Sequence, residues 1–349
     1  MRLRWSCRAT VIALVALLGL SVWPSRAQAL SFGGEATGVQ LTVPAAGITI
    51  KAATGQLPPA GGGVEASLLS GDIPGSATGG AASLAADSLH SVAVGLQATD
   101  AAASMGTVSL TVSGNGITTD FLMARSAASC GPGPAVAGSS ELPNLVINGQ
   151  AVTVTGAPNQ TVSLPNGTAT INEQTSAVAG SSGELRVVAL HVTTIDAITQ
   201  QVLADVMLGI TDAMIDCQPG SPPSGSFGTG GGNIVGNNGT AFANFGVVGG
   251  IQPDESRRGH VVFDDHSMSF SMKSTAITSV DNSVPCQTTI HGDGDASGVP
   301  VTFIVTIRDN GEPGGGRDTF SIQVFGVPYT NSNTVLRNGN IQKHGETCP

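Results

Sequence analysis

The chain is poor in positive charge and in aromatic side chains, and it has no long apolar run beyond its first residues. Of its 14 basic residues, Arg2, Arg4, Arg8 and Arg26 all lie within the first 29 positions, which hold no acid. Those positions read as a secretory signal: a basic start, the apolar run 9–22, and the small-x-small site Ala27-Gln28-Ala29. The run is too short and wrongly flanked for a stable membrane span. Cys7 precedes it, which argues against a lipid-anchored cysteine. Removal of the signal leaves 10 basic residues against 24 acidic ones, a net charge of −14. The only lysines are Lys51, Lys273 and Lys343. Nucleic-acid binding needs clustered cations, and anionic membranes attract the same feature. Neither partner is therefore expected, and the mature chain is expected to be soluble and secreted.

Both tryptophans, Trp5 and Trp23, leave with the signal, and Tyr329 is the one tyrosine. Between Leu30 and Cys217 only Phe32 and Phe121 are aromatic. The core of that region must be Val, Ile, Leu and Ala, and a carbohydrate module that stacks sugars on Trp or Tyr is hard to build. Enzyme signatures are also missing. There is no G-x-S-x-G, no H-E-x-x-H, and no lysine placed for a phosphate-binding loop. No catalytic or cofactor-binding residue is assigned. A carboxylate pair for sugar hydrolysis remains open, because its members need only meet in space.

What the chain does have is β patterning. Residues 154–193 read as strand, tight turn, strand, loop, strand. Thr161-Val162-Ser163-Leu164 alternates, Pro165-Asn166-Gly167 favours a hairpin turn, and 168–172 resumes the alternation. Residues 184–193 (ELRVVALHVT) are β-branched and long enough for a central strand. His191 in that run reads as a core histidine bonded to a backbone carbonyl rather than a ligand or base, since no partner sits near it in sequence. Earlier, 30–51 gives two short strands around Pro44, and 56–80 reads as a Gly/Pro loop. Residues 81–90 could pass for a helix, but Gly79-Gly80 and repeated Ser disfavour one. Thr107–Val112 and Ile117–Met123 form a hairpin, and 131–140 reads as a loop. Residues 195–208 fit a helix face or a strand equally well.

Residues 218–226 (QPGSPPSGS) form the best linker, held extended by proline and kept from packing by glycine. The expected organisation is a signal at 1–29, a β domain at 30–217, the linker, and a second β domain at 227–349. The fold class is all-β: two antiparallel, sandwich-like domains with little helix outside the signal. Four cysteines remain in the mature chain, Cys130, Cys217, Cys286 and Cys348, with no C-x-x-C for zinc or redox chemistry. Export makes disulfides the default. Three pairings are open, and the linker favours Cys130 with Cys217 and Cys286 with Cys348.

Certain segments carry a family resemblance: 155–160 (TGAPNQ), Asn172-Glu173-Gln174, and Ala189-Leu190-His191-Val192, with a closing cysteine. On these the region 31–217 resembles the choice-of-anchor P family of exported bacterial proteins. Thr229-Gly230-Gly231-Gly232, Ala243-Asn244-Phe245-Gly246, 309–314 (DNGEPG), 318–322 (DTFSI) and Gly339-Asn340-Ile341-Gln342 resemble the small module that often follows it. The resemblance implies export and architecture, with no defined activity. The chain ends without an apolar tail or a Leu-Pro-x-Thr-Gly pentapeptide, so free secretion is expected rather than wall anchoring.

Two acidic stretches could supply oxygens to calcium. One is 309–318, with Asp309, Asn310, Glu312 and Asp318 as the candidate ligands. The other is the acidic turn 291–295. The preferred reading of both is a solvated hairpin fixed by Asp and Asn side chains. His260, His266, His291 and His344, with Asp264 and Asp265 nearby, could form a transition-metal site; four separate surface histidines is the preferred reading. The expected function is that of a secreted structural or interaction protein whose partner is a protein or cell-surface polymer. A calcium-assisted surface binder and a hydrolase with an unrecognised site are the alternatives.

Overall fold

The computed structural model describes residues 30–349 apart from Thr240 and the side chain of Asn333. The secretory signal read at 1–29 lies outside the described residues. Among them no α-helix occurs. Strands alternate with turns and two short 3-10 segments, Pro44–Ala46 and Gly75–Thr78. The fold is all-β and sandwich-like, as expected, with every strand pair antiparallel.

Three sheets build it. An outer sheet of six strands runs in spatial order Gln160–Leu164, Gly167–Ala179, Ser182–Ile195, Val202–Asp216, Ser31–Val43, Ile48–Ala53. A central sheet runs Gly62–Ser70, Ala82–Gly95, Ala98–Val112, Asn115–Cys130, Val146–Ile147, Gln150–Ala151, with Pro134–Glu141 also paired to Asn115–Cys130. A distal sheet of nine strands runs Tyr329–Val335, Thr319–Phe325, Val299–Arg308, Gln287–Ala296, Phe270–Asp281, Arg257–Asp265, Phe242–Ile251, Ser226–Val235, Asn338–His344. The distal sheet curls until its far strands approach, where Asn331 Nδ2 donates to the Val235 carbonyl at 3.1 Å.

Side chains on a strand alternate between its two faces, and the central sheet is covered on both. On one face Leu84, Leu89, Met105, Leu110, Leu122 and Ala124 pack with Leu41, Leu190, Val206 and Leu208 of the outer sheet in one aliphatic core. On the other face Val92, Val94 and Leu96 pack against Phe227 and Val248 of the distal sheet. Double burial explains why residues 88–95 are buried without alternation. The stretch 81–90 is the start of the strand Ala82–Gly95 rather than a helix, and over 82–87 its burial still alternates. The distal sheet has its own core, built on Phe245, Phe263, Phe320 and Tyr329.

Glycine permits the close approach of the central and distal sheets. A Cβ on Gly246 would stand 2.5 Å from His90 Cβ, and one on Gly231 would stand 2.1 Å from Ser104 Oγ. His90 is fully enclosed there. Its Nδ1 lies 2.8 Å from Ser67 Oγ, its Nε2 has no protein partner, and burial, with a smaller contribution from His260, pushes its pKa down to about 3.

Several local expectations change. The loop read at 56–80 contains the edge strand Gly62–Ser70, whose glycine-rich start faces the Phe227 ring. The loop read at 131–140 contains the strand Pro134–Glu141. In the central hairpin Leu164 pairs with Gly167, so Pro165-Asn166 are the turn residues and Gly167 is already in the strand. The ambiguous 195–208 splits into a turn and the start of the strand Val202–Asp216. Two disulfides close the chain, Cys130–Cys217 and Cys286–Cys348, as the linker suggested.

Candidate functional site

A cleft of about 350 Å³ opens between the central and distal sheets. Its floor is apolar: Val92, Ala101, Ala102, Met123, Ala127 and Ala137. The polar groups stand in two sets. Arg125 of the central sheet donates from Nη1 to Glu312 Oε2 at 2.5 Å, and Asn340 Nδ2 donates to Glu312 Oε1 at 3.0 Å. In the second set, His344 Nδ1 lies 3.3 Å from Asp100 Oδ2 and its Nε2 lies 2.8 Å from Thr229 Oγ1.

Strand periodicity places these groups. Arg125 and Ala127 are two apart on one strand and share the face turned toward the distal sheet. Thr229 and Gln342 are register partners on neighbouring strands, and His344 lies two residues beyond Gln342. His344 was expected at the surface, but it is only 6% exposed, because the last strand of the distal sheet turns its side chain toward Asp100 of the central sheet. No local pattern signals this, since Asp100 and His344 are 244 residues apart in the chain.

The order carboxylate, imidazole, hydroxyl is that of a nucleophile activated by a base held in place by an acid. A second requirement of acyl transfer is backbone N–H groups aimed at the developing oxyanion. Thr229 lies inside a strand laddered on both sides, to Val248 and to Gln342, so its neighbourhood offers sheet pairing rather than free donors. What the arrangement supplies directly is a hydrogen-bonding end for an otherwise apolar cleft.

The residues proposed for calcium are brought together, but their oxygens are engaged by protein donors. Asp309 accepts from the Gly311 and Lys343 backbone N–H groups at 2.9 and 3.0 Å. Asp318 accepts from the Asn310 and Ile341 N–H groups, both at 2.8 Å. Asn310 Oδ1 accepts from Arg308 Nε, and Glu312 turns away to the cleft. Burial, with Asp309 and Glu312 adding to it, pushes the Asp318 pKa up to about 6. The loop is thus a hydrogen-bonded bracket fastening the last strand. The second acidic stretch is not a turn: His291, Asp293 and Asp295 lie within the strand Gln287–Ala296.

His191 departs most from expectation. Instead of meeting a carbonyl in the core, it stands half-buried on the solvent face of the outer sheet between two carboxylates. Nδ1 is 2.5 Å from Glu173 Oε2 and Nε2 is 2.9 Å from Asp205 Oδ2. Its pKa is raised, first by the Asp205 hydrogen bond and then by Glu173, against the effect of burial. Glu173 and Asp205 arrive from the two flanking strands, and only strand order and register could have revealed them. His260 meets the Ser274 hydroxyl at 3.3 Å, away from His266.

No family model matches the chain, and no curated protein matches it. Among solved structures it is similar to one from Nitrosomonas europaea whose name likens it to AttH. That likeness runs over 90% of this chain and 92% of that one, at 9% identity and a TM-score of 0.21. Similarity that slight carries no argument about fold or activity. No helix among the described residues is long and apolar enough to cross a membrane.

Proposed function

We propose that the chain is an exported binding protein without catalytic activity, which takes a small ligand with an apolar body and a hydrogen-bonding head into the cleft between the central and distal sheets. The observation that carries this is the cleft itself. It holds about 350 Å³ over a floor of Ala, Val and Met, with its charged groups in two sets, Arg125–Glu312 and Asp100–His344–Thr229, and Ser126, Ser139, Asn340 and Gln342 as further polar lining. Ligand sites are commonly concave, mostly apolar and oriented by a few polar groups. The leader read at 1–29, the disulfides and the resemblance to choice-of-anchor P proteins support export to an oxidising compartment. A protein or cell-surface polymer presenting such a group is the partner this reading favours.

Apolar-dye fluorescence tests the reading. Bound 1-anilinonaphthalene-8-sulfonate is excited at wavelengths beyond the absorption of aromatic side chains, so its emission is read alike in the wild type and in a tryptophan variant. Dye should bind the wild type, and Ala127→Trp, which fills the cleft, should abolish binding with little change in melting temperature. Equal dye binding by both proteins would place the apolar site elsewhere and end this proposal.

The Asp100–His344–Thr229 chain supports a second reading, an extracellular hydrolase. It requires turnover of an activated ester such as p-nitrophenyl butyrate that falls away in both His344→Gln and Thr229→Val. Turnover no faster than buffer removes it.

A further inference from the structure

A second cluster spans the two halves of the molecule and shares no residue with the cleft lining. Asp87 belongs to the central-sheet strand Ala82–Gly95. Register shifts flank Asp87, and the left-handed Ser88 (φ 46°) follows it. Such bulges re-aim a side chain, and this one sends Asp87 toward the distal sheet. Asp264 is the penultimate residue of the strand Arg257–Asp265, and His266 begins the turn after it. His266 Nε2 lies 3.3 Å from Asp87 Oδ2 and 3.9 Å from Asp264 Oδ2, and the three potential ligand atoms all fall within 4.8 Å of one another.

The independent observation is Asn244. It is the register partner of Asp264, so both side chains leave the distal sheet on the same side. Asn244 is only 2% exposed, and its Oδ1 has no hydrogen-bond partner. Its amide is aimed at the cluster, with Nδ2 3.3 Å from His266 Nε2 and 3.2 Å from Thr107 Oγ1. A half-turn of the amide sets the oxygen where Nδ2 stands. The space for that amide is kept by Gly106, the partner of Asp87 on the adjacent strand, where a Cβ would lie 2.4 Å from Asn244 Cγ. Where it stands the oxygen lies off the cluster without a partner, which costs about 1–3 kcal/mol, and the turned amide presents it to the cluster, within reach of Thr107 Oγ1 and of a cation held by the other three groups.

We propose that Asp87, Asp264 and His266, completed by the Asn244 amide oxygen, bind a divalent transition cation of the zinc class. Zinc bonds to imidazole and carboxylate are about 2.0–2.2 Å long, which sets tetrahedral ligand atoms roughly 3.3–3.6 Å apart. The two contacts of 3.3 Å and the one of 3.9 Å around Nε2 are close to that spacing already. One imidazole beside hard oxygens selects against calcium and magnesium, which take oxygen alone. The ligands come from the central sheet and the distal sheet, so the ion would clamp the two together.

Full-length mature protein stripped with a chelator and dialysed against limiting zinc chloride tests the proposal by metal analysis and calorimetry. One equivalent of zinc per chain is expected, together with a rise in melting temperature. Asp87→Asn and His266→Ala should lose that equivalent, while His291→Ala and Asp309→Ala retain it. Asp87→Asn keeps the shape of the side chain, so an unchanged metal-free melting temperature separates lost ligation from lost folding. Failure of the wild type to hold zinc, or retention of the equivalent in His266→Ala, overturns the assignment.

Discussion

The two halves of the chain solve the same packing problem with different side chains. Residues 30–217 fill the space between two sheets with Leu, Val, Ile, Ala and Met, and Phe121 and Phe32 are their only aromatic residues. Residues 227–349 curl one sheet around a stack of rings. Phe245 and Phe320 have centroids 4.2 Å apart, Phe263 and Phe320 5.7 Å, and Phe270 and Tyr329 4.1 Å. Aliphatic side chains suit the broad, flat gap of a sandwich, which many small contacts can fill. A tightly curled sheet leaves a narrower interior, which a few large side chains fill with less chain. The aliphatic core therefore spreads its stability over many residues, while the aromatic core concentrates it.

The disulfides give the largest test of that difference. They span 87 and 62 residues, so loop entropy assigns each about 4–5 kcal/mol as an upper figure. Urea unfolding of the Cys130→Ser/Cys217→Ser and Cys286→Ser/Cys348→Ser pairs should show comparable losses. A much smaller loss for the second pair would mean that the ring stack already confines its half. Next in size, Phe320→Ala should cost about 3–5 kcal/mol, because Phe320 stacks on both Phe245 and Phe263. Leu190→Ala in the aliphatic half should cost about 2–5 kcal/mol, toward the lower end if neighbours collapse into the gap. The reverse order, measured by thermal and urea denaturation, would break the contrast between concentrated and spread cores.

Two histidines sharpen the contrast between the covered and open faces of the first half. His90 has a folded pKa depressed to about 3, so the unfolded chain binds the extra proton first. Its stability is complete above about pH 6.5 and declines as pH falls below that value. His191 has a raised folded pKa, so its contribution is complete below about pH 6.5 and fades as pH rises through the folded value. Its partner Asp205 has a lowered pKa, chiefly through the hydrogen bond from His191, so that contribution fades instead in acid below about pH 4. Melting curves across pH should therefore lose opposite slopes in His90→Gln and His191→Gln. Equal pH profiles for the two variants would contradict the burial assigned to each. The smallest expected effect is calcium. Because the oxygens of Asp309 and Asp318 already accept backbone N–H groups, millimolar calcium should move the melting temperature by no more than about 1–2 °C. A larger shift, absent in Asp309→Ala, would make the bracket a cation site.

Features written in neighbouring residues were legible in the sequence. The alternation of Thr161–Leu164 and 168–172 and the hairpin of Thr107–Val112 with Ile117–Met123 reached the correct element type. Features that need knowledge of what lies opposite a strand were not. Residues 56–80 look like loop because glycine there serves a close approach to Phe227 rather than a turn. His191, read as a core residue, is held by acids 18 and 14 residues away in the chain. The cleft joins Asp100 to His344 and Arg125 to Glu312 across the whole fold, and no local pattern encodes such pairs.

The glycines on the distal side of the inter-sheet contact have a consequence for the order of events. Strands Ser226–Val235 and Phe242–Ile251 contain seven glycines between them, of which Gly231 and Gly246 lie directly against Ser104 and His90 of the central sheet. Each costs about 0.5–1 kcal/mol relative to alanine in a strand, so these two give up roughly 1–2 kcal/mol of intrinsic strand preference. That deficit is recovered only when the central sheet is there to receive them. A chain delivered amino-terminus first presents the central sheet before these strands arrive, and the first half then acts as a template for the second. Refolding of the whole chain followed by pulsed hydrogen exchange should show amides of residues 84–128 protected before those of 226–251, so that assembly follows the order of the chain.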